Sequence, residues 1–380
     1  MRRAAGLSLF LCGWLLLSWM GLQPGAPRRQ EEEGAAARKR APGQRESFRT
    51  LLAVPEEQQQ EEAGGGGVFW SPRLERLLPA AFPEAAARAW AAAARAARVQ
   101  ALERGGCGRG SNRRAALSDG SRACVRYGIS PEQIQGEALS FYLARLLGIG
   151  NVPPLVLARA GAGPRWAAVR EELRAAQWPA GAVVSLTPWI ANLTGGVVPP
   201  AALLPGGGGL RPGGARNRSR AELLDLLQWT DLIAFDYLTA NFDRLVSNLV
   251  SLQWDPRVME RGTRNLRRAP AGLIFLDNEA GLVHGYRVRA MWDRYNEPLL
   301  RSVCVFRRRT ARRVAELHRR RDAPERLRRL YHQQEPLAGE LGFLSPAHAQ
   351  QLQQRIDLLH RHVLHCRDRY GGPELAKGGR

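Results

Sequence analysis

Behind Arg2-Arg3 the chain runs for nineteen residues, Ala4 to Leu22, without a charged side chain, and that run fixes the environment in which everything after it folds. At about 1.5 Å rise per residue, a helix of that length reaches about 28 Å and spans a bilayer core. The leading arginines favour a cytosolic tip and a lumenal remainder, although Arg28-Arg29 behind the run dilute that bias. Gly25 and Ala26 also fit a cleaved signal peptide, the competing reading. Either way residues 23 onward are lumenal, and in the first reading residues 1–22 tie the chain to a membrane partner.

Residues 23–67 are rich in Gln, Glu, Gly, Arg and Pro, with Glu56-Glu57 and Glu61-Glu62 flanking three glutamines. So few large apolar side chains cannot offset the entropy of ordering, which predicts a disordered stem. Globular sequence begins near Val68-Phe69-Trp70 and continues to about Tyr370, ahead of a disordered tail at 373–380. An Ala-rich helix is expected over about 84–103, then strand-like pieces around Arg122 to Tyr127. A helix follows from Pro131 to Leu147, with Leu139, Tyr142, Leu143 and Leu146 on one face and Gly148 closing it. Val183 to Leu186 reads as a strand, 195–218 as a surface insertion, and Leu273 to Leu276 as a buried strand in an otherwise helical second half. Strands and one helix first, then mostly helices, is α+β.

The formal net charge of +21 would ordinarily suggest a nucleic-acid partner. Of the 56 basic residues, however, only Lys39 and Lys377 are lysine, and long Ala, Gly and Pro tracts accompany the arginines, so biased coding explains the charge and no nucleic acid is expected. The scarcity of lysine also excludes a Gly-Lys-Ser/Thr phosphate loop, a Schiff-base lysine and a Ser-x-x-Lys nucleophile. Arg307 to Arg309, Arg312, Arg313, Arg319 to Arg321, Arg326, Arg328 and Arg329 form a basic belt. It reads as a solvated helix face that is also able to attract acidic substrate or sulfated glycans.

The sharpest chemical signal is Asn241-Phe242-Asp243-Arg244-Leu245-Val246-Ser247-Asn248. An Asp five residues before an Asn is the spacing by which phosphoryl-transfer loops converge a proton-accepting carboxylate and a metal ligand on one phosphate. Downstream, the strand Leu273 to Leu276 delivers Asp277-Asn278-Glu279, where a carboxylate would hold the metal that bridges nucleotide phosphates. Upstream, Gly106, Gly108 and Gly110 lie in a glycine cluster suited to backbone approach to phosphate. Arg126 closes a strand pattern that ordinarily ends in a phosphate-binding lysine, and Glu137 on the next helix is its expected ion-pair partner. A two-lobed protein-kinase-like fold follows, with residues 68–188 as N-lobe and 189–372 as C-lobe.

With Cys12 inside the apolar run, Cys107, Cys124, Cys304 and Cys366 remain, and four cysteines allow three pairings. Cys107 with Cys124 and Cys304 with Cys366 are expected, because each pair falls within one lobe. The sequons at Asn192 and Asn217 agree with a lumenal chain. His360, His362, His365 and Cys366 are close enough for a zinc site, but their helical context and the expected disulfide weigh against it.

The run Pro131 to Gly148 with Val152-Pro153-Pro154, together with Cys124 to Ile129, Phe235 to Leu249 and Phe275 to Leu282, resembles the four-jointed family of Golgi secretory kinases. The resemblance spans about 68–370. It implies a secretory-type kinase fold in the Golgi lumen, with ATP and Mg or Mn as cofactors. It also implies phosphorylation of serine or threonine in cadherin repeats of the Fat and Dachsous type, acting on planar cell polarity. Carried onto this sequence, Asp243 is the base, Asn248 and Asp277 the metal ligands and Glu137 the organiser, while arginine at 126 departs from the usual lysine. That departure keeps open a non-catalytic ligand or pseudokinase. The Asp277-Asn278-Glu279 triplet behind an anchor and stem keeps open a Golgi glycosyltransferase.

Overall fold

The computed structural model describes residues 67–78, 80–214 and 218–371. The anchor and stem expected over 1–67 therefore lie outside the described residues apart from Gly67, as do Asn217 and the 373–380 tail. Among the described residues no helix is long and apolar enough to cross a membrane.

A short helix α1 (Pro72–Leu77), capped by the Ser71 hydroxyl, precedes α2 (Glu84–Ala96). The sequence reading carried α2 through residue 103, but the chain turns at Ala97 into β1 (Val99–Arg104). Val99 and Leu102 are buried against the sheet, and pairing with β2 (Arg113–Leu117) outweighs local helix preference there. β3 (Arg122–Arg126), β4 (Val156–Arg159) and β5 (Val183–Pro188) complete an antiparallel five-stranded sheet ordered β1-β2-β3-β5-β4. One face of it carries its own apolar cluster, including Val125, Val156, Leu186, Trp166 and Trp178.

Between β3 and β4 lies α3 (Pro131–Leu147), bounded by Pro131 and by Gly148 in the left-handed region as its sequence predicts, and started by a Ser130/Gln133 capping box; the short α4 (Arg170–Ala175) lies between β4 and β5. Buried almost all round, α3 joins the second, larger cluster with α5 (Arg220–Thr239), whose residues from Leu226 to Thr239 are buried. The rest is α6 (Leu245–Ser251), a hairpin of β6 (Leu266–Ala269) and β7 (Gly272–Phe275), α7 (Val283–Arg301), α8 (Arg308–Arg320), α9 (Ala323–Gln334), α10 (Ala338–Leu341) and α11 (Pro346–Tyr370). Val68 to Trp70 runs beside Phe306 through two backbone hydrogen bonds, so the start of the globular chain packs on the helical part.

Of the segment 195–218, expected as a surface insertion, the described residues 195–214 are largely exposed but tied down at three apolar side chains. Val197, Leu203 and Leu210 are buried, and Leu210 bonds to Ser302 and Cys304 through its backbone. Cys304 is disulfide-bonded to Cys366 and Cys107 to Cys124. The Cys304, His362 and Cys366 ligand atoms do lie together, but both sulfurs are consumed in the disulfide, which leaves no thiolate for zinc.

Candidate active site

Alternation along β3 puts Val125 in the sheet core and sends Cys124 and Arg126 to the opposite face. The Arg126 guanidinium meets the Asp277 carboxylate at 2.8 Å. This differs from the sequence expectation, which paired Arg126 with Glu137. The Glu137 carboxylate instead accepts the backbone N–H of Asn278 and acts on Arg126 through charge alone. The reason lies in backbone position. Gly136 brings α3 so close to the turn after Asp277 that a Cβ there would stand 2.7 Å from the Glu279 carbonyl oxygen, and Glu137 is committed to that turn. Burial weakens the Arg126 charge, but Asp277 and Glu137 outweigh that and leave its pKa above the ordinary arginine value. Burial also raises Glu137, against the pull of Arg126.

Asp277 follows β7 with a left-handed backbone (φ 53°), a conformation that Asp tolerates better than most residues. The glycine loop lies over it: a Cβ on Gly108 would be 4.0 Å from the Asp277 carboxylate, and Arg109 pairs with Glu279. Gly106 has φ 76° and sits against Trp189, whose ring would be 2.6 Å from a Cβ. The Cys107–Cys124 disulfide ties this loop to the strand that carries Arg126. Asn112 adds a second tie, donating to the Cys107 carbonyl and accepting from the Tyr127 N–H. Gly110 is not at the cavity, and a Cβ on it would meet nothing.

The loop after α5 is organised by Arg244, which is fully buried. It bonds Asp236 at 2.6 Å and the side chain of Asn278, joining the 236–244 segment to the turn after Asp277. Burial pushes Asp236 up to about 6 despite that partner. The Asp243 carboxylate accepts a 2.9 Å hydrogen bond from Asn265, and burial, then the charge of Asp277, lifts its pKa. The two carboxylates are therefore near enough to act on each other through charge. Asn248 is buried on α6, one turn beyond Arg244, and its amide nitrogen has no hydrogen-bond partner among the described residues.

A cavity of about 530 Å³ opens between the sheet and the helical part, lined by Gly106, Gly108, Arg126, Asn265, Leu276 and Asp277. The buried Nε of Arg126 beside it also lacks a partner. Asn192 is exposed on its rim. Asp243 lies outside the lining and is linked to it by Asn265. Sequence reasoning missed Arg244, Asp236, Asn265 and Asn112. An aspartate inside the apolar stretch from Trp229 to Leu238 is a signal that would have found Asp236, whereas nothing local marks Asn265.

A five-stranded antiparallel sheet, one buried helix from it resting on a helical body, and a cavity between them with a strand cation on a strand-end carboxylate define a protein-kinase-like fold. It is similar to the Golgi casein kinase solved with Mn/ADP bound, with a TM-score of 0.52 at 12% identity over 91% of this chain and 95% of that one. The four-jointed box protein middle domain model matches residues 85–369, and the chain belongs to that family. It is 66% identical to Four-jointed box protein 1 of Homo sapiens over 312 residues, 80% of this chain and 71% of that protein. It is 35% identical to the extracellular serine/threonine protein kinase four-jointed of Drosophila melanogaster, over 70% of this chain and 54% of that protein.

Proposed function

We propose that the chain is a serine/threonine protein kinase of the secretory pathway, anchored with its catalytic part in the Golgi lumen and acting on cadherin-repeat ectodomains. The observation that carries this reading is the Arg126–Asp277 pair beneath a glycine loop, with the Asp243 carboxylate near enough to feel the charge of Asp277. The donor set fits a nucleotide with a hard divalent ion. Asp277 and Asn248 offer oxygen ligands of the kind Mg and Mn take, and Arg126 offers a fork suited to phosphate. The unsatisfied Nε of Arg126 supports that fit, since a buried donor without a partner is costly unless a ligand such as phosphate completes it.

Bound there, a metal–ATP complex would supply the transferable phosphoryl group and neutralise its charge. Arg126 holds phosphate oxygens, Gly106 and Gly108 leave room for backbone approach, and Glu137 fixes the turn that aims Asp277. Asp243, steadied by Asn265, orients the serine or threonine hydroxyl and accepts its proton. Phosphate transfer from labelled ATP to a cadherin repeat, wild type beside Asp277→Ala, tests the reading. Transfer that persists in the variant would refute it.

A second reading, a pseudokinase that acts by binding, is favoured by one observation. Arg126 and Asp277 already neutralise each other, so each must be pulled from the other to serve a nucleotide. Cellular signalling unchanged by Asp243→Asn would support it. The glycosyltransferase reading keeps only the acidic triplet at 277–279, and the fold likeness is to a kinase.

A further inference from the structure

A second concavity, about 600 Å³, opens between α1 and the start of α8. It is walled by Arg76, Arg307, Arg308, Arg309, Arg312 and Arg313 against only two carboxylates, Glu75 and Glu316. Those two are already engaged. Glu75 accepts the Arg308 backbone N–H at 2.6 Å, and Glu316 is shared by Arg313, Arg320 and Arg326. Arg307 is held by Asp231 at 3.1 Å, and its buried Nε makes no hydrogen bond, with the Glu75 carboxylate 4.0 Å away as its second ion-pair partner. Arg76, Arg309 and Arg312 are exposed, and none has a carboxylate partner among the described residues. The ordinary outcome for surface arginines, mutual neutralisation by nearby acids, is therefore not reached here.

We infer that this concavity binds a sulfated glycan chain. Arg309, Arg312 and Arg313 stand at i, i+3 and i+4 on α8, so one helix face presents them together. Arg320 prolongs the row, which makes it about 16 Å long at 1.5 Å per residue. A guanidinium fork grips two oxygens of one oxyanion, and a row of forks suits a polymer of repeated oxyanions better than a single small anion. Pro72 is the one uncharged residue in the lining. Protein partners are held chiefly by apolar and aromatic anchors in pockets, and this wall offers none. The identity of the polyanion rests on the lumenal placement proposed above, where sulfated glycans are made and nucleic acid is absent. The site itself does not depend on it, and neither α1 nor α8 lines the cavity at Asp277.

The test is binding of a heparin-derived oligosaccharide to the full chain purified in detergent, at rising salt. Saturable binding is expected, with log affinity falling linearly against log salt and about tenfold weaker binding in the triple variant Arg309→Ala, Arg312→Ala, Arg313→Ala. Arg312→Glu alone weakens binding in the same direction and removes no contact within the fold. A control triple of exposed arginines elsewhere, Arg98→Ala, Arg170→Ala, Arg174→Ala, leaves affinity unchanged. Unaltered binding in both cavity variants, or equal loss in the control, overturns the inference. So does equally tight binding of the desulfated saccharide or of a peptide with the 54–64 sequence, whose charges are carboxylates alone. Phosphate transfer is measured on the same preparations. Absent transfer with the expected glycan binding refutes the kinase reading and leaves this one standing.

Discussion

Arg126 on β3 and Asp277 after β7, 151 residues apart, meet at 2.8 Å with both side chains largely buried. Removing one partner of such a pair strands the other charge, which costs about 3–5 kcal/mol. Arg126→Ala is expected to lower the thermal midpoint and to cut phosphate transfer by about 100-fold or more through loss of phosphate stabilisation. Arg126→Lys keeps the charge and loses the fork. It retains most of the stability and raises the KM for ATP. Calorimetry and initial rates read the two effects separately.

Asp243 has a raised pKa because it is buried and because Asp277 is charged beside it. Replacing Asp277 with Asn removes the second cause, so the Asp243 carboxyl is expected to titrate at lower pH in Asp277→Asn than in wild type. Carbon-detected NMR of the side-chain carboxyl follows this without turnover. In wild type the acid limb of kcat/KM lies above the ordinary aspartate range, since the base is inactive once protonated.

Within the glycine loop, positions 106 and 110 respond differently. Gly106→Ala forces a Cβ to 2.6 Å from the Trp189 ring at φ 76°, where an L-residue is strained by about 1–2 kcal/mol before the clash is counted. Gly110→Ala meets open space. Nucleotide-dependent thermal stabilisation falls in the first variant and is retained in the second.

The disulfides divide the labour between site and scaffold. By loop-closure entropy, Cys304–Cys366, spanning 62 residues, contributes about 4 kcal/mol, and Cys107–Cys124, spanning 17, about 3 kcal/mol. Cys304→Ser with Cys366→Ser lowers global stability more. Cys107→Ser with Cys124→Ser raises the KM for ATP more, because it frees the loop over Asp277. Denaturant midpoints and kinetics distinguish them.

Burial holds His284, His348, His360 and His362 below the ordinary imidazole range. The unfolded chain therefore binds more protons than the folded one as pH falls below about 6.5, and stability drops with it. Replacing His360 and His362 with Gln flattens the fall in thermal midpoint between about pH 7 and pH 5.

Local chemistry alone settled several parts of this protein. Pro131 and Gly148 bound α3 at the residues found, and the apolar run at 273–276 marks the buried strand that leads to Asp277. These signals are short-range and survive in a linear reading. Tertiary structure alone decided that residues 99–104 form an edge strand, that 195–214 is tied into the core, and that Arg126 takes Asp277 rather than Glu137. It likewise decided that Arg244 and Asn265 join the two loops of the site. Each of these depends on which groups are brought within hydrogen-bond range across separations from 22 to 151 residues, or on burial of a face against another element. Such energies do not exist until the chain has closed on itself.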